Sequence, residues 1–336
     1  MASETPESAD RAEPRRRRGG GRRSPASKAR PVIFTAVVTT VLLGTGLGTT
    51  AYVKAQSRTS GGAASATSPS PSATPTQGYA RAVAVKAPVR AVVDWDKVLS
   101  KGLAEVEGGS SARYSVAILD TTSGESAVYG SGTFDTASIV KVDILSTLLL
   151  QAQDAGRHLT AQEKANAKIM IENSDNTAAS ALWNDIGGAS GLNAANKRFG
   201  LKETTGGSGL LWGLTQTSAA DQLRLLKVVF GKDSVLSAAS QSYLQGLMGQ
   251  VNTSQDWGVP SASTGDFEVK NGWLQRTTTG LWDINSIGRV TSDGHTYLVA
   301  VTSKGSTTMN RGVALVEEAA QAAVKSFNKA SDDASS

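Results

Sequence analysis

Ser138-Ile139-Val140-Lys141-Val142-Asp143-Ile144-Leu145 opens a run that continues through Leu148, Leu149 and Leu150 to Gly156. Nearly every position is apolar, so the run reads as a helix buried in a core rather than one lying on a surface. A lysine inside it needs a physical reason. In a helix, Ser138 and Lys141 share a face. An ammonium taken out of water tends to lose its proton, and a neutral amine beside a hydroxyl is a base beside a latent nucleophile. The tetrapeptide alone is weak evidence. With 39 Ser and 16 Lys among 336 residues, roughly two Ser-x-x-Lys are expected by chance. Two occur, the other running from Ser326 to Lys329 in a charged C-terminal helix, where it reads as a solvated pair. The rest of the chain must decide between them.

The net charge of +5 is unevenly placed. Residues 1–30 carry 9 Lys and Arg against 4 Asp and Glu, residues 31–90 carry 5 against none, and residues 91–336 carry 20 against 25. The part able to fold is therefore mildly acidic, and the basic start gives no argument for nucleic-acid binding. Eight of the 9 prolines lie at or before Pro88, which marks a boundary near residue 90. Cysteine is absent, which excludes disulfides, thiol nucleophiles, thiolate metal sites and a lipid-modified cysteine.

Residues 1–30 are too polar to bury a core and read as a disordered, cytoplasmic tail. Val32 to Val53 is 22 residues without a charge, long enough to span a bilayer, and the arginines before it place the tail inside and the remainder outside. Two readings stay open: a retained anchor, or a signal segment cleaved after Val53-Lys54-Ala55. Both export the remainder of the chain. Residues 54–90, with Pro69, Pro71 and Pro75, form a linker.

The domain, 92–330, opens with a helical pattern from Trp95 to Val106, closed by Gly108 and Gly109. Arg113 to Leu119 and Ser126 to Tyr129 make a hairpin. After the Ser138 helix, five helical stretches follow: 161–171, 177–186, 192–199, 217–230 and 237–248. Beyond Pro260 the period switches, and 267–273, 282–290 and 295–302 read as antiparallel strands before a last helix, 309–327. Two early strands make a poor sheet alone. The expected fold is therefore α/β of the α+β kind, one antiparallel sheet built from both chain ends with the central helices as a second lobe.

Three polar elements now stand in order: Ser138 to Lys141, Ser174-Asp175-Asn176 at a helix break, and Lys270-Asn271-Gly272 on a strand. In isolation the second could be only a helix cap and the third a solvated strand residue before a bend. Together they resemble the penicillin-recognising serine hydrolases, most closely the class A β-lactamases, over about residues 92–330. Glu172 to Ala179, Ile186-Gly187-Gly188 and Thr215 to Leu223 extend the likeness. The resemblance implies a β-lactamase/transpeptidase-like fold, with Ser138 as nucleophile, Lys141 as its base and Ser174 returning a proton to the leaving nitrogen. It also implies that Asn176 holds the substrate amide, that Lys270 and Asn271 meet a carboxylate, and that Gly272 and the backbone N–H of Trp273 complete the oxyanion site.

Two departures stand out. The family's loop glutamate, which activates water, has no clear counterpart, since Leu201 to Gly213 is shorter and holds Glu203 as its carboxylate. Glu203 is a candidate for deacylation, against the plainer reading of a surface residue beside Lys202. Thr204 to Gly213, with Trp212, looks like a rebuilt rim of the pocket. Asn271 stands where the family has Thr or Ser, and an amide is larger and also presents an acceptor. Arg276 and Arg289 are further candidates for a carboxylate anchor. His158 and His295 read as surface residues, and neither a Ser-His-Asp triad nor a metal site can be assembled from them.

The expectation is an exported, monomeric serine hydrolase that forms a Ser138 acyl-enzyme and turns over β-lactams slowly, with no cofactor. Its substrate would be a β-lactam or a peptidoglycan stem peptide, its other partner the membrane through the N-terminal helix. A cell-wall D,D-peptidase or esterase, and a non-catalytic module binding peptidoglycan or β-lactam, are the alternatives.

Overall fold

In the computed structural model, which describes residues 93–335 except 108, 110 and 111, both chain ends feed one sheet. Helix α1 (Trp95–Gly102) precedes strands β1 (Arg113–Asp120), β2 (Ser126–Tyr129) and the short β3 (Phe134–Asp135). Helices α2 (Val140–Asp154), α3 (Ala161–Glu172), α4 (Asn176–Asp185) and α5 (Gly188–Phe199) follow, then β4 (Gln216–Thr217), α6 (Ala219–Phe230) and α7 (Ala238–Met248). Strands β5 (Phe267–Gln275), β6 (Trp282–Ser292) and β7 (His295–Lys304) and helix α8 (Met309–Ser335) complete the chain. The sheet order is β2-β1-β7-β6-β5, antiparallel throughout. This is the α+β architecture expected from the pattern, with β5 at an edge.

Alternation along the central strands sorts two cores. Val116 and Ile118 of β1 and Val299 and Val301 of β7 turn to one face, where Leu99 of α1 and Val316, Ala323 and Phe327 of α8 cover them. Ala117, Leu298 and Ala300 turn to the other face, against Leu225 and Val229 of α6 and the buried α2. α2 is buried from Val140 to Leu150, which accounts for its lack of a polar stripe. The β6–β7 turn uses Asp293 and Gly294, both at positive φ, as a two-residue hairpin requires.

Helix starts follow their caps. Thr160 and Glu163 form a reciprocal capping box on α3, while Asp94, Asp175, Ser218 and Ser237 cap α1, α4, α6 and α7. Three details differ from the sequence reading. α1 ends at Gly102 rather than running to Val106, α8 continues past Phe327 to Ser335, and β3 pairs with β4 in a ribbon too short to leave a period. The basic tail, the apolar segment 32–53 and the linker lie outside the described residues; among those described, no helix is long and apolar enough to cross a membrane.

Phe327 is wholly buried between Trp95, at a ring distance of 4.7 Å, and Tyr297 of β7, edge-on at 6.2 Å. It therefore ties the first helix and last helix to the sheet. Phe327→Ala is expected to lower unfolding free energy by about 3–5 kcal/mol, read from the denaturant midpoint.

Candidate active site

Ser138 lies in a single 3-10 turn, Ala137–Ile139, that leads into α2. Ala137 before it is held at φ +47°, a left-handed conformation that costs a non-glycine residue energy and persists only where its surroundings impose it. Here β6 does so. The buried Asn285 side chain donates to the carbonyls of Asp135 (2.9 Å) and Thr136 (3.0 Å) and accepts from Ser303 N (3.0 Å). β5 closes the other side. A Cβ on Gly272 would stand 2.7 Å from Thr136 O and 2.8 Å from Ser138 N, so only glycine lets the strand come this near.

Lys141 is fully buried. Its Nζ donates to Ser174 O (2.6 Å), Ser174 Oγ (3.1 Å) and Asn176 Oδ1 (2.8 Å), and the Trp212 ring lies 5.0 Å from it. Burial lowers its pKa to about 7, against a smaller upward pull from Asp175. Lys270, also fully buried, donates to the same Ser174 Oγ (3.1 Å) and to Asn271 O (3.1 Å). Its pKa is pushed well down by burial and then by the nearby Lys141. The 174–176 turn divides its labour: Asp175 caps α4 through Ala178 N (2.7 Å), while Ser174, at φ +57°, and Asn176 face the amine.

A cleft of about 380 Å³ opens over Ser138, walled by Asn176, Leu211, Trp212, Trp273 and Arg276 among others. The sequence-predicted residues Ser138, Lys141, Ser174, Asn176, Lys270, Gly272 and Trp273 thus come together. Others do not. Glu203 is solvent-exposed and lines no part of the cleft, because its backbone N–H is tied to Asp221 (2.7 Å), and Trp212 stands against Lys141 instead. The Asn271 side chain is wholly buried and spends its amide on the carbonyls of Gln255 (2.9 Å) and Trp257 (2.8 Å), so it is not available to a substrate carboxylate. Arg276 is ion-paired with Asp135, and Arg289 with Glu268 over the Phe230 ring. His158 is exposed, but His295 is partly buried against Asp120 (3.0 Å) rather than free on the surface. Among the described residues no cluster of three metal-ligating side chains occurs.

Sequence reasoning passed over Asn285, whose one signal was an amide at a core-facing position of a strand. It also passed over Asp143, buried two residues beyond Lys141. Asn196 Nδ2 donates to Asp143 Oδ2 (3.0 Å), while Asp143 Oδ1 and Asn196 Oδ1 are buried without partners. Burial raises the Asp143 pKa to about 7, the Asn196 bond opposes this, and nearby Asp221 adds to it. Protonation would give the buried Asp143 carboxyl a donor of its own in place of a second unpaired acceptor.

Comparison with known proteins points the same way. A family model described as the beta-lactamase enzyme family matches residues 149–327, beginning just past Ser138 and Lys141. The protein named "Putative lipoprotein LppW" of Mycobacterium tuberculosis is 27% identical over 174 residues, 48% of this chain and 54% of that protein. The chain thus spans about half the length of that relative. A class A beta-lactamase from Bacteroides cellulosilyticus is similar in fold at TM-score 0.61 and 18% identity, covering 71% of this chain and 100% of that one. A variant of the class A beta-lactamase of the last common ancestor of Gram-negative bacteria gives TM-score 0.58 and 24% identity, over 69% and 99%. PBP-A gives 0.59 and 21%, over 69% and 96%.

For Asp143 the sign is set by its raised pKa. Between the unfolded value, 3.8, and about 7 the folded state binds the extra proton, so stability falls as pH rises through that window. Asp143→Asn removes the titration. Its stability relative to the parent is expected to improve by about 3 kcal/mol between about pH 4 and about pH 8, read from urea melts.

Proposed function

The chain belongs to the beta-lactamase enzyme family, and from that premise we propose that its domain is an exported serine hydrolase that forms an acyl-enzyme on Ser138. The observation carrying this reading is the Ser174 hydroxyl, 3.1 Å from both Lys141 Nζ and Lys270 Nζ. An amine with a pKa of about 7 is half neutral at neutral pH, the state in which it can take the Ser138 proton. Ser138 Oγ then attacks the carbonyl carbon. The oxyanion is stabilised by the N–H of Ser138 at the head of its helix and by that of Trp273 on the edge strand. Ser174 relays the proton from Lys141 to the leaving nitrogen or oxygen, and Asn176, whose Oδ1 is committed to Lys141, uses its Nδ2 to hold the acyl side.

The second half of the cycle is poorly furnished. Among the described residues lining the cleft there is no carboxylate to activate water, so the acyl-enzyme is long-lived and β-lactam turnover slow. Export rests on the apolar segment 32–53 with arginines before it. A relative bearing a lipoprotein name supports an extracytoplasmic place. Because this sequence has no cysteine, lipid attachment through a thiol is excluded within it, and the apolar segment serves either as a retained tether or as a signal cleaved near Ala55.

Incubation with a fluorescent penicillin is expected to leave a covalent adduct, seen by intact mass, that persists for many minutes and falls at least about a thousandfold in formation rate in Ser138→Ala. Its rate should climb with pH to a midpoint of about 7, as Lys141 loses its proton. Trp212→Ala admits water to the amine and should move that midpoint upward. An adduct retained in Ser138→Ala, or a rate flat across this range, overturns the assignment.

A further inference from the structure

The residues from Gln255 to Val259 form a strap over the face of β5 and β6 beside the catalytic lysines. Asn271 and its cross-strand neighbour Ser286 point to the same side and are both fully buried beneath it. Asn271 Nδ2 holds the carbonyls of Gln255 and Trp257, and Ser286 Oγ accepts from Val259 N at 2.9 Å. Gly258, at φ +84°, lies so close that a Cβ there would stand 2.3 Å from Ser286 Oγ. The strap and the residues just before it are also anchored to the C-terminal end of α3, through Asn252 N to Glu172 O (2.8 Å) and Gln255 Nε2 to Asn173 O (3.3 Å). Both side chains are thereby covered by the strap.

The cleft over Ser138 has an apolar rim. Leu210 and Leu211 are 60% and 56% exposed, more than any other large apolar side chain described as exposed. They are displayed rigidly: Trp183 Nε1 donates to Gly209 O (2.7 Å), Gly207 N to Thr215 Oγ1 (3.1 Å) and Trp212 Nε1 to Ser180 Oγ (3.1 Å). Trp273 and Leu274 face the same opening. The cation among the lining residues is Arg276, already paired with Asp135, and both lysine amines are buried, where charge is disfavoured.

From the sealed strap and the leucine lip, and resting on the acyl-enzyme reading above, we infer that the cleft takes neutral esters of apolar acids, donors with an alkyl or aryl acyl group and no carboxylate on the leaving side. The acyl chain lies on Leu210, Leu211 and Trp273, and the ester carbonyl sits at Ser138. Ser138 Oγ bonds to the carbonyl carbon as its proton passes to Lys141. The ester C–O bond breaks, the alcohol leaves with the proton relayed by Ser174, and water later releases the carboxylic acid and restores Ser138. The sum is ester plus water giving acid plus alcohol, with no further reactant.

The test compares 4-carbamoylphenyl octanoate, 4-carboxyphenyl octanoate and 4-carbamoylphenyl acetate on the parent chain, its Ser138→Ala variant and a Leu210→Asn/Leu211→Asn double variant, following phenol release and the Ser138 adduct by mass. The neutral octanoate is expected to acylate at least about tenfold faster than its carboxylate counterpart, which brings an unmatched charge to an apolar lip. It should also exceed the acetate at least about tenfold, the gain expected of two buried methylenes, and this second ratio should collapse in the double variant. A carboxylate ester that reacts as fast or faster, or an octanoate no better than acetate, overturns this inference alone, provided Ser138 is labelled. No Ser138 adduct with any ester or penicillin overturns both this and the acyl-enzyme reading.

Discussion

A lysine amine sealed in the protein interior cannot keep its charge cheaply, and the arrangement around Lys141 answers that constraint from every side. α2 carries it into the core, where Val140, Val142 and Ile144 beside it are also buried. The acceptors it needs come from one turn, 174–176, and that turn holds its shape because Asp175 caps α4 while Ser174 takes a left-handed backbone. The cap is thus part of the site: without it, the Ser174 carbonyl and hydroxyl lose their aim at Nζ. A second amine, Lys270, is brought to the same hydroxyl by an edge strand, and the mutual repulsion of two ammonium groups adds to burial in favouring neutral forms.

The sheet supplies what the helices cannot, a rigid backing for the Ser138 turn. β6 reaches it through Asn285, and β5 reaches it by lacking a side chain at Gly272. Both contacts are made to backbone atoms, so they hold position without dictating the side chains of the cleft. Chains of 18–24% identity share this fold.

The two departures in sequence prove to be a loop anchor and a wall of the cleft. Asn271 is long enough to leave its strand and tie down a passing loop, which a hydroxyl would not reach on both carbonyls at once. The 201–213 loop places Trp212 against the Lys141 amine and leaves Glu203 in solvent. An indole there covers the amine, with its ring centre 5.0 Å from Nζ. A carboxylate would have favoured activation of water.

Periodicity alone determined the fold class. Strands such as 295–302 and the helices between Ala161 and Met248 carry their period in the identity of each residue, because one face must be buried. The Ser138, Ser174 and Lys270 elements were legible only jointly, by their order along the chain and their resemblance to a known family, since each alone could be a chance pair, a helix cap or a solvated strand residue. What sequence could not decide was direction. Asn271 and Lys270 are neighbours on one strand, yet one faces a loop and the other the Ser174 hydroxyl. Glu203 and Trp212 share a loop, yet one meets water and the other the amine. Asn285 and the Asp143–Asn196 pair carry no local signal of their partners, which lie tens of residues away and are set only when helices and sheet close on one another. Local preference is written in each residue, whereas the partner of a buried polar group exists only after the chain has packed.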